Sequence, residues 1–180
     1  MKNKFSCIII ALLWLFGLQQ ICGKSNLAIS QLSTKNGLSQ NTVRSIIHDK
    51  NGFIWAGTLE GLNRYDGYKF TTYKPMQGDP YSISDPRVKD IYQDRDSYIW
   101  IKTYKNEFSC YDPKQEAFVN YDSQNVVHNA TYKNYHESPS TGDVWLWSEL
   151  TGVLRIQKKE GDFVTTPFFD TKEKVKEKYS

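Results

Sequence analysis

Apolar and polar residues alternate with a period of two in short runs along most of the chain. One run reads VRSIIHD over residues 43–49, and a similar run reads VKDIYQD over residues 88–94. Each is followed by a turn rich in Asn, Gly, Asp or Ser, and then by a strand-like segment around a tryptophan. Alternation of this length between turn signals predicts short β-strands. It also excludes a helical solenoid.

The tryptophan segments recur at a constant interval. Trp55, Trp100 and Trp145 are each 45 residues apart, and four short strand-like runs separated by turns surround each of them. Four strands in about 45 residues is the period of a β-propeller blade. A β-sandwich also uses many short strands, but it does not repeat a Trp-to-Tyr outline at constant spacing. The predicted fold class is therefore all-β, with about three four-stranded antiparallel blades of an incomplete propeller.

The repeats also predict how the chain is divided. We place the blades at about residues 36–75, 82–122 and 126–168, within a repeat region that covers residues 24–170. The segment LAISQLS, residues 27–33, is expected to be an outer strand of a blade completed elsewhere. Propellers close with typically four to eight blades. We therefore expect further blades as partners, and we do not expect residues 24–180 alone to behave as a compact, ligand-competent monomer.

The aromatic and glycine positions within each repeat are expected to be structural. Blades stack face to face, so the aromatic side chains fill the space between them. Gly57 leaves room for a neighbouring blade on the tryptophan strand, and Gly61 supplies a sharp turn into the next strand. The residues assigned to this structural set are Trp55, Trp100, Trp145, Gly57, Gly61, Tyr65 and Tyr111.

The first 23 residues differ from the repeats. MKNKF carries two lysines, and an apolar run follows from Cys7 to Leu18. The segment ends with two glutamines and, at Cys22-Gly23, the small residues of a cleavage zone. This is the order of a secretory signal peptide, and the run is shorter than the roughly 20 apolar residues that a membrane span needs. Ile21 before Cys22 is too bulky for a lipobox. We expect residues 1–23 to be a signal peptide and the protein to be periplasmic.

The charge and the cysteine content of the chain limit the functions and the covalent cross-links that it can have. The chain has 23 basic and 20 acidic residues, and part of the basic excess lies in the charged tail at residues 171–180. The repeats are near neutral, which excludes a basic face for nucleic acid. Once the signal peptide is removed, Cys110 is the single cysteine left, so no intrachain disulfide is expected. Its strand-like context predicts a small buried apolar residue.

No motif for a metal or a cofactor is present. His48, His128 and His136 are far apart in the sequence and lack the spacing of a metal site. The turn DKNG at residues 49–52 resembles the start of a calcium loop, but no glutamate closes it at the required distance. We expect no metal, no cofactor and no catalytic residue.

The string NGLSQNTVRSIIHDKNGFIWAGTLEGLNRYDGYKFTTY, residues 36–73, resembles the two-component regulator propeller repeat. The second unit departs from that pattern where Ser97, Lys102 and Asn106 replace glycines, and the third where Trp147 and Ile156 replace a glycine and a tyrosine. The positions that carry the resemblance in the first unit are Gly37-Leu38-Ser39, Val43, Ile46, Asp49, Gly52, Trp55, Gly57-Thr58, Gly61-Leu62, Tyr65-Asp66-Gly67 and Phe70.

The resemblance implies a role in signalling. Proteins of this family are sensors of hybrid two-component systems from Bacteroides-like bacteria, with periplasmic propellers, a membrane helix and a histidine kinase. Their ligands are commonly oligosaccharides, and their output is transcription of glycan-utilisation genes through a phosphorelay. This implies an oligosaccharide ligand and the remainder of a sensor kinase as partners, in relatives anchored in the inner membrane. We expect the kinase to be absent from this chain and the chain not to be an enzyme.

The loops that join last to first strands and middle strands are expected to line the ligand face. They read KNGLSQN, PYSISDPR and SQNVVHN, and LEG, YKN and ELTG. Their polar and aromatic side chains could supply the hydrogen bonds and stacking that sugars require. The candidate ligand-binding residues are Asn41, Arg44, Glu60, Arg87, Tyr104 and Lys105.

Two alternatives stay open. One is a propeller glycosidase, because DKNGFIW resembles the Asp-box of sialidases, although its Asp-to-Gly spacing differs. Tyr65-Asp66 could then be a reactive pair, but its recurrence as Tyr111-Asp112 favours a structural role. The other alternative is a truncated structural relic without activity.

Overall fold

The computed structural model describes residues 29–121, 132–148, 152–159 and 162–169. The expected signal peptide, the charged tail and His128 lie outside these residues. The chain divides after Gln31 into two units, and the fold reported below is that of the second, Leu32–Ser180. Among the described residues, no helix has the length and apolar character needed to cross a membrane.

The described residues form three separate four-stranded sheets, each with its strands in antiparallel sequence order. The sheets are called blades 1, 2 and 3 below, and they confirm the predicted all-β propeller architecture. Blade 1 consists of β1 (Ser45–His48), β2 (Ile54–Thr58), β3 (Gly61–Tyr65) and β4 (Phe70–Tyr73). Blade 2 consists of β5 (Val88–Gln93), β6 (Ile99–Thr103), β7 (Phe108–Asp112) and β8 (Ala117–Tyr121). Blade 3 consists of β9 (Asn134–Glu137), β10 (Val144–Ser148), β11 (Gly152–Lys159) and β12 (Asp162–Phe169).

The outer strand expected at residues 27–33 does not form over residues 29–33, the part of it that the structure describes. A strand needs a sheet edge to pair with, and none of the described strands pairs with this segment. Ser33 instead caps a 3₁₀ turn at Thr34–Asn36, because its hydroxyl oxygen accepts the N–H of Lys35. Because that outer strand is expected to pair with a blade completed elsewhere, its formation in a complete propeller stays a prediction.

A carboxylate organises the first hairpin of blade 1. One oxygen of Asp49 accepts the backbone N–H groups of Asn51 and Phe53, both at 2.9 Å. The other oxygen accepts the indole N–H of Trp55 at 2.7 Å. Asp49 is buried, so these bonds satisfy a charge that would otherwise be costly to remove from water.

Blade 2 repeats this arrangement with a different turn residue. Asp94 accepts the backbone N–H groups of Asp96 and Tyr98 and, at 2.9 Å, the indole N–H of Trp100. Ser97 replaces the glycine of blade 1 and keeps a positive φ of 75°, where Gly52 has 90°. The carboxylate therefore holds the turn conformation even where the favoured glycine is missing.

The apolar core lies between the blades. Trp55 is almost fully buried, and its ring centroid lies 5.0 Å from that of Tyr111 in blade 2. Trp100 faces blade 3 in the same way, with Tyr135 at 5.8 Å and Phe163 at 6.0 Å. Each of these tryptophans thus leaves its own sheet to fill the space in front of the next blade.

Gly57 shows why the blades approach closely near their inner strands. A Cβ built at Gly57 would lie 3.0 Å from the Cβ of Val88 in blade 2, and closer still to one of its methyl groups. Only glycine therefore leaves room for Val88. The equivalent position in blade 2 is Lys102, whose ammonium group donates to the backbone carbonyl of Lys133. In blade 3 it is Trp147.

Blades 1 and 3 each have one face that no other described blade covers, and repeat residues on these faces are partly exposed to solvent. Trp145 and Tyr65 are only partly buried, although Trp55 and Tyr111 at equivalent positions are 1% exposed. No further described sheet covers the outer face of blade 1 or of blade 3. Burial of a repeat residue therefore depends on the neighbouring blade, and its position in the motif alone does not set it.

We predict that Trp55→Ala in a complete propeller lowers the free energy of unfolding by about 3–5 kcal/mol, the usual cost of truncating a buried aromatic side chain. Urea denaturation followed by circular dichroism measures the change. Affinity for a ligand should be retained in the folded fraction. Full stability with selective loss of ligand binding would show that Trp55 belongs to a binding site.

A second prediction concerns the ion pair that joins blade 3 to the hairpin of blade 2. Lys158 donates to Asp94 at 2.9 Å and also to Asp96. Burial would by itself lower the pKa of Lys158, but these hydrogen bonds outweigh it and raise the pKa. Asp94→Asn should therefore cost about 1–3 kcal/mol more than Asp49→Asn, because it also weakens a buried charge pair. Equal losses of unfolding free energy in the two variants would contradict this role of Lys158.

Candidate ligand-binding face

The antiparallel strand order brings two kinds of loop to the same end of each blade. The turn between the second and third strands lies at the end where the first strand begins and the fourth strand ends. The connection to the next blade therefore lies beside that turn. We call this end the loop face and define it by residues 37–44, 59–60, 74–87 and 104–107. The expected loops SQNVVHN and most of ELTG lie outside the described residues.

A buried carboxylate organises the loop face between blades 1 and 2. Asp85 accepts two hydrogen bonds from the Arg87 guanidinium, both at 3.1 Å, and one from the Arg87 backbone N–H at 2.8 Å. The ammonium group of Lys105 lies 3.4 Å from the same carboxylate. The Asp85 side chain is 3% exposed, whereas those of Arg87 and Lys105 are about half exposed. Asp85 thus fixes two cations that still face solvent.

The protonation of Asp85 follows from these contacts. Burial alone would raise the pKa of the carboxyl group, but the hydrogen bonds from the Arg87 side chain and backbone and from Lys105 outweigh it. The pKa of Asp85 therefore lies below its ordinary value, and the pKa of Arg87 is raised by the same pair. Asp85 is an anion at neutral pH, so its role is to position cations.

An aromatic side chain lies beside this charged group. The guanidinium of Arg44, from blade 1, lies 5.8 Å from the ring centroid of Tyr104, from blade 2. The backbone N–H of Tyr104 donates to the carbonyl of Arg87 at 2.9 Å, which places the ring next to the Asp85 group. We call Arg44, Asp85, Arg87, Tyr104 and Lys105 the Asp85 cluster.

The structure brings four of the six sequence-predicted ligand residues into this cluster, and two lie elsewhere on the loop face. The side-chain oxygen of Asn41 accepts the backbone N–H of Thr34 at 2.8 Å, so Asn41 holds the 3₁₀ turn. Glu60 is exposed in the β2–β3 turn, where its N–H donates to the hydroxyl of Thr58. Neither contact joins these two residues to the Asp85 cluster.

Sequence reasoning missed Asp85 itself, the residue that holds the cluster together. The signal was local: Asp85 stands two residues before Arg87, with a proline between them. An aspartate in this place commonly accepts the backbone N–H two residues later. What the sequence did not indicate is that the carboxylate would be buried and would also reach Lys105.

A cavity of about 420 Å³ opens in the seam between blades 1 and 2, next to residues of the same connection. Its apolar floor includes Tyr73, Ile83 and Phe118, and Lys74, Asp79 and Glu116 supply charged groups. An apolar surface with a few polar groups is typical of a small-molecule site. This recess is separate from the Asp85 cluster, because none of the cluster residues lines it.

The Tyr-Asp pairs considered for a glycosidase have structural partners. Tyr111 is buried between blades, and Asp112 accepts the backbone N–H of Lys114 at 2.7 Å. Asp66 accepts the backbone N–H groups of Tyr68 and Lys69, which lower its pKa. Both carboxylates form turns between the third and fourth strands. These turn contacts explain why the Tyr-Asp pair recurs, and the explanation requires no catalytic role.

Comparison with known families and proteins agrees with this architecture. Residues 37–60 match the family model of the two-component regulator propeller. Over 60 residues, one third of the chain, the sequence is 42% identical to Histidine kinase P4 of Formosa agariphila. The alignment spans 4% of that kinase, so this relative is many times longer than the aligned segment.

Solved structures extend the similarity to most of the described blades. The extracellular domain of the hybrid two-component system BT3049 from B. thetaiotaomicron is 27% identical, with a TM-score of 0.63. The match covers 79% of this chain and 20% of that one. The extracellular domain of BT4673 from the same organism is 21% identical with a TM-score of 0.51, over 72% of this chain and 19% of that one, and shows likeness of fold alone.

We predict a specific pH signature for Asp85. Because its pKa is depressed in the folded state, the stability that it contributes is fully present above its unfolded pKa, about 4. That stability is lost as the pH falls further, through the folded pKa. Asp85→Asn should therefore be less stable than wild type at pH 6 by about 1–3 kcal/mol, and the difference should shrink between pH 4 and pH 2.

Urea denaturation at several pH values measures this difference. The matched control is Asp79→Asn, which changes a turn carboxylate bonded to the backbone N–H of Tyr81 in the same connection. A gap between wild type and Asp85→Asn that stays constant down to pH 2 would mean that the carboxylate does not hold its cations.

Proposed function

Because residues 37–60 match the two-component regulator propeller model, we propose that this chain is a ligand-sensing propeller segment of a hybrid two-component signalling protein. The segment lies in the periplasm and recognises an oligosaccharide. Its signal reaches a histidine kinase outside this chain and regulates genes for glycan utilisation. The chain itself has no catalytic role.

The similarity to the extracellular domain of a hybrid two-component system supports the sensor role. The observation that carries the ligand proposal is the Asp85 cluster. Tyr104 offers an aromatic face of the kind on which the apolar face of a sugar ring can stack. Arg87 and Lys105 offer charged donors in fixed positions, and such donors form stronger hydrogen bonds than neutral ones. A flexible, hydroxyl-rich ligand binds best where the protein groups are already held in place.

The position of the cluster supports a sensing role as well as binding. Arg44 comes from blade 1, whereas Arg87, Tyr104 and Lys105 come from blade 2 and its entry. A ligand that touches both sets would favour one relative placement of two neighbouring blades. Differential affinity for two placements is what a ligand needs in order to shift a conformational equilibrium.

Isothermal titration calorimetry of the complete sensor ectodomain with a panel of oligosaccharides tests the proposal. For a glycan that binds, Tyr104→Ala and Arg44→Ala should each weaken the affinity by about tenfold or more, which corresponds to ~1.4 kcal/mol of binding free energy. The matched control is Tyr68→Ala, because Tyr68 is an exposed tyrosine in the β3–β4 hairpin, at the opposite end of blade 1.

Three results would contradict the proposal. Absence of binding across neutral and acidic glycans would remove the oligosaccharide as ligand. Binding that Tyr68→Ala weakens as much as Tyr104→Ala would place the site away from the Asp85 cluster. Turnover of a fluorogenic glycoside that one carboxylate substitution abolishes would instead favour a glycosidase.

A further inference from the structure

The cavity of about 420 Å³ between blades 1 and 2 takes no part in the Asp85 cluster and has charged groups of its own. We call it the rim recess, because it lies where the last strands of the two sheets, β4 and β8, meet the connection between the blades. Its lining residues all come from blades 1 and 2 and from that connection. The rim recess is therefore not a face that a further blade, beside blade 1 or blade 3, would cover.

The floor of the rim recess is apolar and largely aromatic. Ile83 and Phe118 are buried, and Phe118 packs edge-on against Tyr73, with ring centroids 5.4 Å apart. Met76 and Tyr81 also line the recess but are 65% and 66% exposed, so they form its mouth. Aromatic rings and a methionine thioether both make favourable contacts with another aromatic ring. The rim recess therefore suits the aromatic group of a ligand.

Hydrogen bonds hold the wall of the rim recess that the connection forms. The buried hydroxyl of Ser82 accepts the backbone N–H of Met76 at 3.0 Å and donates to the carbonyl of Asp79 at 2.9 Å. The carbonyl of Tyr81 accepts the backbone N–H of Phe118 at 2.9 Å, which fastens the connection to the edge of blade 2. The wall is thus in place before a ligand arrives, which lowers the entropic cost of binding.

Two opposite charges of the rim recess do not pair with each other. Among the described residues, no hydrogen bond or ion pair reaches the ammonium group of Lys74. One oxygen of Asp79 accepts the backbone N–H of Tyr81 at 2.9 Å, and the other has no partner in this part of the chain. Glu116, the third charged residue of the lining, lies 3.6 Å from Arg64. The rim recess thus offers one unpaired cation and one unpaired carboxylate oxygen beside an aromatic floor.

We propose that the rim recess binds a small zwitterion with an aromatic side chain, such as a free aromatic amino acid. The ammonium group of the ligand donates to Asp79, Lys74 donates to its carboxylate, and its ring lies on the floor formed by Tyr73 and Phe118. Such charge-assisted hydrogen bonds are the strong ones. A ligand with one charge, or a neutral sugar, would leave at least one of the two protein charges unpaired.

The size of the rim recess agrees with a ligand of this class. Small-molecule pockets have volumes of about 300–1,000 Å³, and the rim recess, at about 420 Å³, lies near the lower end of that range. It therefore suits one small molecule better than a long oligosaccharide. This second site goes beyond the proposed glycan recognition and does not rest on it, because the two sites share no residue.

Isothermal titration calorimetry of the complete sensor ectodomain tests the proposal, with phenylalanine, tyrosine and tryptophan as probes. Two analogues of phenylalanine each lack one charge: 2-phenylethylamine has no carboxylate, and 3-phenylpropionate has no ammonium group. Each analogue should bind more weakly than phenylalanine by about tenfold or more, because it loses a hydrogen bond between charged groups. Lys74→Gln should weaken the binding of phenylalanine by a similar factor and leave that of 2-phenylethylamine unchanged. Asp79→Asn should weaken phenylalanine binding and leave that of 3-phenylpropionate unchanged.

The matched control is Lys69→Gln, which removes an exposed lysine at the other end of β4 and should bind like wild type. Circular dichroism checks that each variant is folded. Tyr104→Ala should leave phenylalanine binding unchanged, so failure of the glycan proposal and failure of this one are distinguishable. The proposal would be overturned if none of the three amino acids showed saturable binding, or if 2-phenylethylamine bound as tightly as phenylalanine. A loss of affinity in Lys69→Gln as large as that in Lys74→Gln would also overturn it, because the site would then lie elsewhere.

Discussion

The interaction on which blades 1 and 2 depend is a buried hydrogen bond between an aspartate in the first hairpin and a tryptophan on the second strand. In blades 1 and 2 this bond is 2.7 Å and 2.9 Å long. The same carboxylate accepts two backbone N–H groups of the turn, so it ties a local hairpin to a long-range contact. The indole, fixed at its edge, then projects beyond its own sheet and packs on the next blade. Blade formation and blade stacking are coupled through this one group.

The seams between blades show how a repeat tolerates divergence. Gly57 lets Val88 approach closely, whereas the equivalent Lys102 fills the space and donates to the Lys133 carbonyl. Arg64 pairs with the hydroxyl of Tyr111, and the equivalent Cys110 packs in an apolar cluster with Ile156. Burial raises the pKa of the Cys110 thiol well above its ordinary value, so this cysteine behaves as an apolar core residue. Each polar group introduced at these seams has a partner on the facing blade, because an unpartnered buried donor or acceptor would cost stability.

The loop face shows how the scaffold positions polar groups without burying them. Antiparallel order puts the inter-blade connection and the β2–β3 turns at one end. Asp85, buried at that end, then holds Arg87 and Lys105 while their side chains stay half exposed. The stacked blades fix the spacing between Arg44 and Tyr104, which come from different sheets. A rigid scaffold with functional groups on its loops is a general arrangement for recognition.

The sequence by itself determined the strands, the turns and the repeat. These features depend on local alternation, on turn residues and on a tryptophan every 45 residues, and all of them can be read within one blade. It also identified Gly57 as a position of close approach and Cys110 as a buried apolar residue. The tertiary structure decided which residues are buried and which side chains form pairs, because both depend on the surface of the neighbouring blade. It leaves Trp145 partly exposed, whereas the equivalent Trp55 is buried. It also joins four of the six expected ligand residues around Asp85, a residue that the sequence did not single out. Burial and ion pairing depend on which blade lies opposite, and a repeat motif carries no information about its neighbour.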